Sequence, residues 1–167
     1  MLFRSKDDGE KHQIHLKRGE VLEFMGKWDD AETDYRAALE SAKDDIALKA
    51  NAQFALGKLS RFRGDYAPAL EWFGQAKGAR TKLEDTSGLA QVLIETGGVL
   101  VRKGEYELAR EPLNEGLALA KEISDKLNTV LALDNLGIGA LRQGDFTAAQ
   151  GMYEESLALN QIGRAHV

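Results

Sequence analysis

The stretch LALDNLGIGALRQGDFTAAQGMYEESLALN, residues 131–160, decides the reading of the chain. It reads as two amphipathic helices joined by a tight turn at Gly144. Every earlier part of the sequence is an imperfect copy of it. Aligning the turns gives four hexapeptides: GKWDDA at 26–31, GDYAPA at 64–69, GEYELA at 104–109 and GDFTAA at 144–149. Each holds a glycine, a charged residue, an aromatic, two variable residues and an alanine. A second glycine, Gly19, Gly57, Gly97 or Gly137, precedes each turn by seven residues. The copies are 38, 40 and 40 residues apart. A period of this size predicts a solenoid of helical hairpins.

Each column has a physical reason. The turn glycine ends a first helix in a left-handed conformation that a Cβ would penalise. The next residue (Lys27, Asp65, Glu105, Asp145) opens the second helix, and in three copies it is acidic, which suits a helix N-terminus. The aromatic, Trp28, Tyr66, Tyr106 or Phe146, is expected to fold back over its hairpin. The alanines Ala31, Ala69, Ala109 and Ala149, with the earlier glycines, are small where helix axes approach. A glycine inside a helix costs about 1 kcal/mol against alanine, so four at one position require a packing reason. Tyr35, Phe73, Leu113 and Tyr153 are expected to fill the gap towards the neighbouring repeat.

The predicted repeats span about 10–43, 45–82, 86–122 and 125–160, with residues 1–8 frayed and a first helix from Glu10 to Met25. Asp85, Thr86 and Ser87 are candidate N-caps after the polar break KLEDTSG. Pro112 falls well inside a second helix, where it should bend it. The last seven residues, QIGRAHV at 161–167, stand outside the pattern. Ile-Gly-Arg-Ala-His-Val resembles the translation of a ligation adapter used in short-read sequencing. The expectation is therefore a native reading that stops at Asn160, within an environmental fragment of a longer bacterial protein.

The composition fits one helical domain: 43% hydrophobic, 29% charged and only two prolines in 167 residues. A net charge of −5 argues against nucleic acid and against an acidic membrane surface as partners. No apolar run approaches a membrane span, and no apolar leader is present. The absence of cysteine excludes disulfides and thiolate metal sites and fits a reducing, cytoplasmic setting.

Catalytic patterns are nearly missing. There is no phosphate-binding GxxxxGK[ST] run. Gly137 and Gly139 begin a GxG, but Arg142 stands at the third glycine position. His12 and His15, three apart on a helix, could share a metal but lack a third ligand nearby. The reading is of a chain without catalysis, cofactor or metal.

The columns resemble the tetratricopeptide repeat, with small residues at its eighth, twentieth and twenty-seventh positions and aromatics near the seventeenth and twenty-fourth. Two features depart from the common pattern. The period is near 40 rather than 34, and the proline that closes each repeat is missing. Both are similar to a long-repeat variety in bacterial signalling proteins. The resemblance implies an all-α, right-handed superhelical array of four antiparallel hairpins that binds a peptide or partner domain in a concave groove. It also implies two alternatives: a sensor arm of a larger signalling ATPase, cyclase or transcription regulator, or a small-ligand or peptide-pheromone receptor.

In this family the groove is lined from the first helices. Carried over, repeat one gives Gln13, Leu16, Glu20, Glu23 and Phe24, and repeat two gives Asn51, Phe54, Lys58, Arg61 and Phe62. Repeat three gives Gln91, Ile94, Gly98, Val101 and Arg102, and repeat four Leu131, Asp134, Ile138, Leu141 and Arg142. The family's clamp for chaperone-tail carboxylates is not supplied by any set of repeats here. Arg102 and Arg142 share one position and are expected to grip acidic groups. Ile94, Val101, Ile138 and Leu141 would then take apolar side chains between them. Each arginine also stands in the last turn of its helix, where a cation offsets the dipole. Leu157 and Leu159 have no following repeat to cover them, so self-association through the last hairpin is expected.

Overall fold

A computed structural model describes the backbone of residues 2–164 and the side chains of residues 8–161. Its elements are α1 (Leu2–Phe24), α2 (Trp28–Ser41), α3 (Ile46–Arg63), α4 (Tyr66–Lys82), α5 (Thr86–Lys103), α6 (Tyr106–Glu122), α7 (Lys126–Arg142) and α8 (Phe146–Arg164). Among the described residues every regular element is an α-helix. Consecutive helices pair into four hairpins. The chain divides into two compact units, Met1–Glu84 and Asp85–Val167, each of two hairpins.

The turns form where the glycines stand. Gly26, Gly64, Gly104 and Gly144 have φ of 73°, 84°, 80° and 83°. At the second turn the Gly64 amide donates to the Arg61 carbonyl at 3.1 Å and the Asp65 amide to that of Ser60 at 2.9 Å. This double closure satisfies carbonyls that the helix end would otherwise orphan. The matching long bond recurs from Lys27 to Leu22, Glu105 to Leu100 and Asp145 to Ala140.

The other ends close differently. Lys43, Glu84 and Ser124 adopt φ of 48°, 53° and 56° without being glycine. An aspartate soon follows each. Asp45, Asp85 and Asp125 accept from the amides of Leu48, Gly88 and Asn128 at 2.9–3.0 Å. Side-chain capping of this kind contributes about 1 kcal/mol per helix.

The glycine column inside the first helices has a specific reason. A Cβ on Gly19 would lie 2.4 Å from the ring of Tyr35, and one on Gly57 2.5 Å from the ring of Phe73. On Gly97 it would lie 2.3 Å from Leu113, and on Gly137 2.8 Å from Tyr153. Tyr35, Phe73, Leu113 and Tyr153 therefore seat on the glycine of their own hairpin. Tyr35 and Leu113 also reach the neighbouring repeat, as expected, since they share cores with Leu56 and Leu59 and with Ala132 and Leu136. Their size matches the space that the missing side chain leaves.

Stacking between hairpins adds further columns. In the first unit, Leu56 and Leu59 of α3 join Ala31 and Tyr35 of α2 in one core. In the second, Ala132 and Leu136 of α7 join Ile94 and Val101 of α5 and Ala109 and Leu113 of α6. Tyr106 packs on that core, whereas Phe146 stays 69% exposed. Coverage of the aromatic after the turn thus differs between repeats, since Trp28 is also 43% exposed.

Helix bounds differ from expectation at both termini. α1 begins at Leu2 rather than Glu10, and Lys43 pairs with Asp8 across to α1. α8 continues past Asn160 through Arg164, and Gln161 is exposed. The rest of the tail, as regards side chains, lies outside the described residues. Pro112 is accommodated inside α6.

Two glycines inside first helices predict opposite effects. Gly139 stands two residues after Gly137, where repeats two and three have Leu59 and Val99. A Cβ there meets nothing within 4 Å, and a cavity of about 50 Å³ adjoins it. Gly139→Ala should stabilise the fold by about 1 kcal/mol through helix propensity alone. Gly57→Ala should lower the melting temperature despite the same propensity gain, because Phe73 is wholly buried and must move. Thermal melts of the two variants check both signs.

Candidate partner-binding surfaces

In the first unit the expected groove residues divide between internal contacts and an open cleft. Asn51 accepts from Arg80 at 2.5 Å. Phe54 packs with Phe73, ring centroids 5.8 Å apart. Lys58 lies 6.0 Å over the Phe54 ring, and Arg61 lies 4.2 Å over Phe62. Glu20, Glu23, Phe24, Trp28, Lys58 and Phe62 surround a surface cleft of about 450 Å³. Phe24 is 94% exposed and Phe62 51%. Glu23 accepts the Tyr35 hydroxyl at 2.8 Å, and Lys17 reaches Glu20 at 2.9 Å. Burial pushes the Tyr35 phenol up, and the Glu23 carboxylate adds to this.

In the second unit, Ile94 and Val101 belong to the core, at 3% and 7% exposure. They cannot take side chains from a partner, as the sequence reading had them do, because α7 covers them. Gln91 is half-buried. Leu131, Ile138 and Leu141 are exposed at 40%, 39% and 45%. Asp134 accepts the Ser156 hydroxyl at 2.7 Å. Arg102 is exposed but folds back on its own helix, donating to the Gly98 carbonyl at 3.1 Å. Arg142 is exposed near the end of α7 and has no ion-pair partner among the described residues. Both arginines thus stand at matching helix ends. The apolar surface beside them comes from α7 alone.

A polar cluster between α1 and α2 was not read from the sequence. Asp34 is 2% exposed. It receives Arg18 through two guanidinium nitrogens and the His15 Nδ1–H at 3.0 Å. The hydrogen bond from Arg18 chiefly holds the Asp34 carboxyl below its ordinary range, against the opposing effect of burial. His12 is buried and donates Nδ1–H to the Ala38 carbonyl at 2.9 Å. The two histidines, paired in the sequence as a candidate metal site, serve separate partners. The signal was available in the repeat columns. Arg18 stands where later repeats have Leu56, Thr96 and Leu136, and Asp34 where they have Trp72, Pro112 and Met152. Of these, Leu56, Trp72, Leu136 and Met152 pack against a preceding hairpin. The first hairpin carries an ion pair there instead.

With the repeat geometry in hand, comparison with known proteins is direct. The tetratricopeptide repeat family model matches residues 10–82 and 85–162. The chain belongs to the tetratricopeptide repeat family. The two matches coincide closely with the two units. No curated protein matches the sequence. Among solved structures, aspartyl phosphate phosphatase F from Bacillus subtilis is similar with a TM-score of 0.86 at 16% identity, covering 92% of this chain and 41% of that one. PilF of Pseudomonas aeruginosa is similar at 0.77 and 23%, covering 93% and 64%. A Rap protein complexed with competence and sporulation factor is similar at 0.78 and 21%, covering 90% and 43%. At these identities the likeness concerns the fold. The chain spans roughly two fifths to two thirds of the length of these solved proteins. No helix among the described residues is long and apolar enough to cross a membrane.

The buried carboxylate yields a pH prediction. A lowered folded pKa contributes stability that is present above the unfolded value, about 3.9 for Asp, and lost as pH falls through the folded value. Asp34→Asn should lower the melting temperature at pH 7. The difference from wild type should shrink below about pH 4, where the wild-type carboxyl also becomes neutral. Melting curves from pH 7 to pH 2 measure this.

Proposed function

We propose that the chain is a non-catalytic scaffold that binds a peptide or partner domain along its first helices. The carrying observation is the surface of α7. Leu131, Ile138 and Leu141 stay exposed beside Arg142, which pairs with nothing among the described residues. A helix that already packs a core has no folding reason to expose three large aliphatic side chains on another face. Arg102 and Arg142 end neighbouring first helices, which pack about 8–10 Å apart. An extended peptide advances about 3.3 Å per residue, so acidic groups about three residues apart fit the pair. No chemical step is assigned. The buried carboxylate Asp34 is closed upon Arg18 and His15.

Two further readings have support of their own. The chain covers only about two fifths to two thirds of the three solved proteins named above, which favours a regulatory arm within a longer signalling protein. The Rap protein that resembles it was solved with a factor bound, which favours a receptor for a small or peptide ligand. A reducing, cytoplasmic setting fits the absence of cysteine.

Arg102→Gln with Arg142→Gln should leave helicity and melting nearly unchanged. The same variant should bind acidic-apolar peptides more weakly, most visibly at low salt, in anisotropy titrations. Unchanged affinity would reduce both arginines to helix-end charges. The exposed face of the last hairpin gives a second test. Tyr153 is 36% and Leu157 57% exposed, whereas the column mates Leu113 and Leu117 pack in a core. Sedimentation should show concentration-dependent self-association that Leu157→Lys abolishes.

A further inference from the structure

The stacks inside the two units join the same columns. Leu16 of α1 and Leu39 of α2 pack on a core with Leu56 and Leu59 of α3. Ile94 of α5 and Leu117 of α6 hold the columns of Leu16 and Leu39, and they pack on a core with Leu136 of α7. A hairpin thus has a trailing face, with the columns of Leu16 and Leu39, and a leading face, with that of Leu56. The trailing face of the fourth hairpin is open. Tyr153 is 36% exposed, and Leu157, in the column of Leu39 and Leu117, is 57% exposed. The leading face of the first hairpin is open too, with Ile14 62% and Val21 58% exposed. Ala132 and Leu59 hold those two columns in α7 and α3, and both are buried in the stacks.

Polar residues select between occupants. Asp134 stands on the open trailing face, in the column of Leu16 and Ile94, and accepts the Ser156 hydroxyl through Oδ1 at 2.7 Å. A leading face with leucine in the facing column, as in α3 and α7, would strip water from that carboxylate and return no partner. The first hairpin has Arg18 in that column. Arg18 bonds Asp34 through Nε and Nη2, uses Nη1 in neither bond and stays 60% exposed. Asp30 also lines the space beside Arg18, so this face has no surplus of positive charge. The apolar columns therefore supply the affinity, and Arg18 with Asp134 supplies the choice of partner.

We propose that the leading face of the first hairpin docks on the trailing face of the fourth hairpin in a second copy of the chain. Ile14 and Val21 then meet Tyr153 and Leu157, and Arg18 lies beside Asp134. The contact repeats between copies a stack that each unit already forms within itself. It is heterologous, so a pair of copies keeps one free face of each kind, and growth continues unless a ring closes. This contact supplies the surface that the last hairpin meets in the self-association expected above, and it uses neither Arg102 nor Arg142.

Two single-face variants of the full chain test this by sedimentation velocity. Ile14→Lys with Val21→Lys spoils the leading face, and Leu157→Lys spoils the trailing face. Each variant should sediment as a monomer by itself. Both should melt close to wild type, because the replaced side chains are more than half exposed. An equimolar mixture holds one intact face of each kind and should form a one-to-one dimer and nothing larger. Recovery in the mixture also shows that both variants are folded. The milder pair Ile14→Ala with Val21→Ala, which favours helix, should weaken association about tenfold. Asp134→Asn should weaken it at least about fivefold. A leading-face variant that associates like wild type would leave the last hairpin self-associating by another contact and overturn the head-to-tail one. A mixture that stays monomeric, or a wild-type chain that is monomeric at every concentration, would overturn it as well. Unchanged association of Asp134→Asn would do the same, since any other leading face would then serve equally.

Discussion

The seating of a large side chain on a bare helix backbone is the contact on which each hairpin depends. In all four hairpins it joins a glycine of the first helix to a residue sixteen positions later in the second. The partner is Tyr35, Phe73, Leu113 or Tyr153, so the chemistry varies while the geometry does not. A hydrogen at the glycine position lets the ring lie against the backbone. Any Cβ would occupy the same space. The left-handed turn seven residues on then fixes where the second helix starts. Together the two glycines set both the separation and the phase of a hairpin.

Much of this was legible because it repeats. A single glycine in a helix is ambiguous, but four in register are a constraint with one cause. The helix ends were equally readable, since glycine and aspartate act through local backbone chemistry. That Tyr35, Phe73, Leu113 and Tyr153 seat on the glycine of their own hairpin was not. Periodicity assigns a residue to an inner face and does not say which neighbour it meets there. The same limit applied to the binding face. Ile94 and Val101 stand at positions that line a groove in the family, but the next hairpin covers them in this chain. Leu141, in the column of Val101, stays 45% exposed.

Charged residues at core columns were the larger omission. Arg18 and Asp34 read as surface residues one at a time. Only against Leu56, Leu136, Trp72 and Met152 does the substitution become visible. The ion pair also explains why the carboxylate tolerates burial. Arg18 supplies two hydrogen bonds and keeps most of its own side chain in water, at 60% exposure. A half-solvated partner lowers the desolvation cost that a fully buried pair would carry.

The ring-on-glycine contact lies within a hairpin, while the stacks add columns that it does not use, such as the one that holds Leu56 and Leu136. Shape and assembly are thereby encoded by overlapping but not identical residues. Substitutions such as glycine for leucine at position 139 can loosen one stack without disturbing either helix pair that forms it. Lineages carrying this architecture can therefore exchange, duplicate or retune individual hairpins, with each change confined to one boundary. That modularity makes the chain a substrate for gradual change in what it recognises, because new surface chemistry does not have to be reconciled with folding.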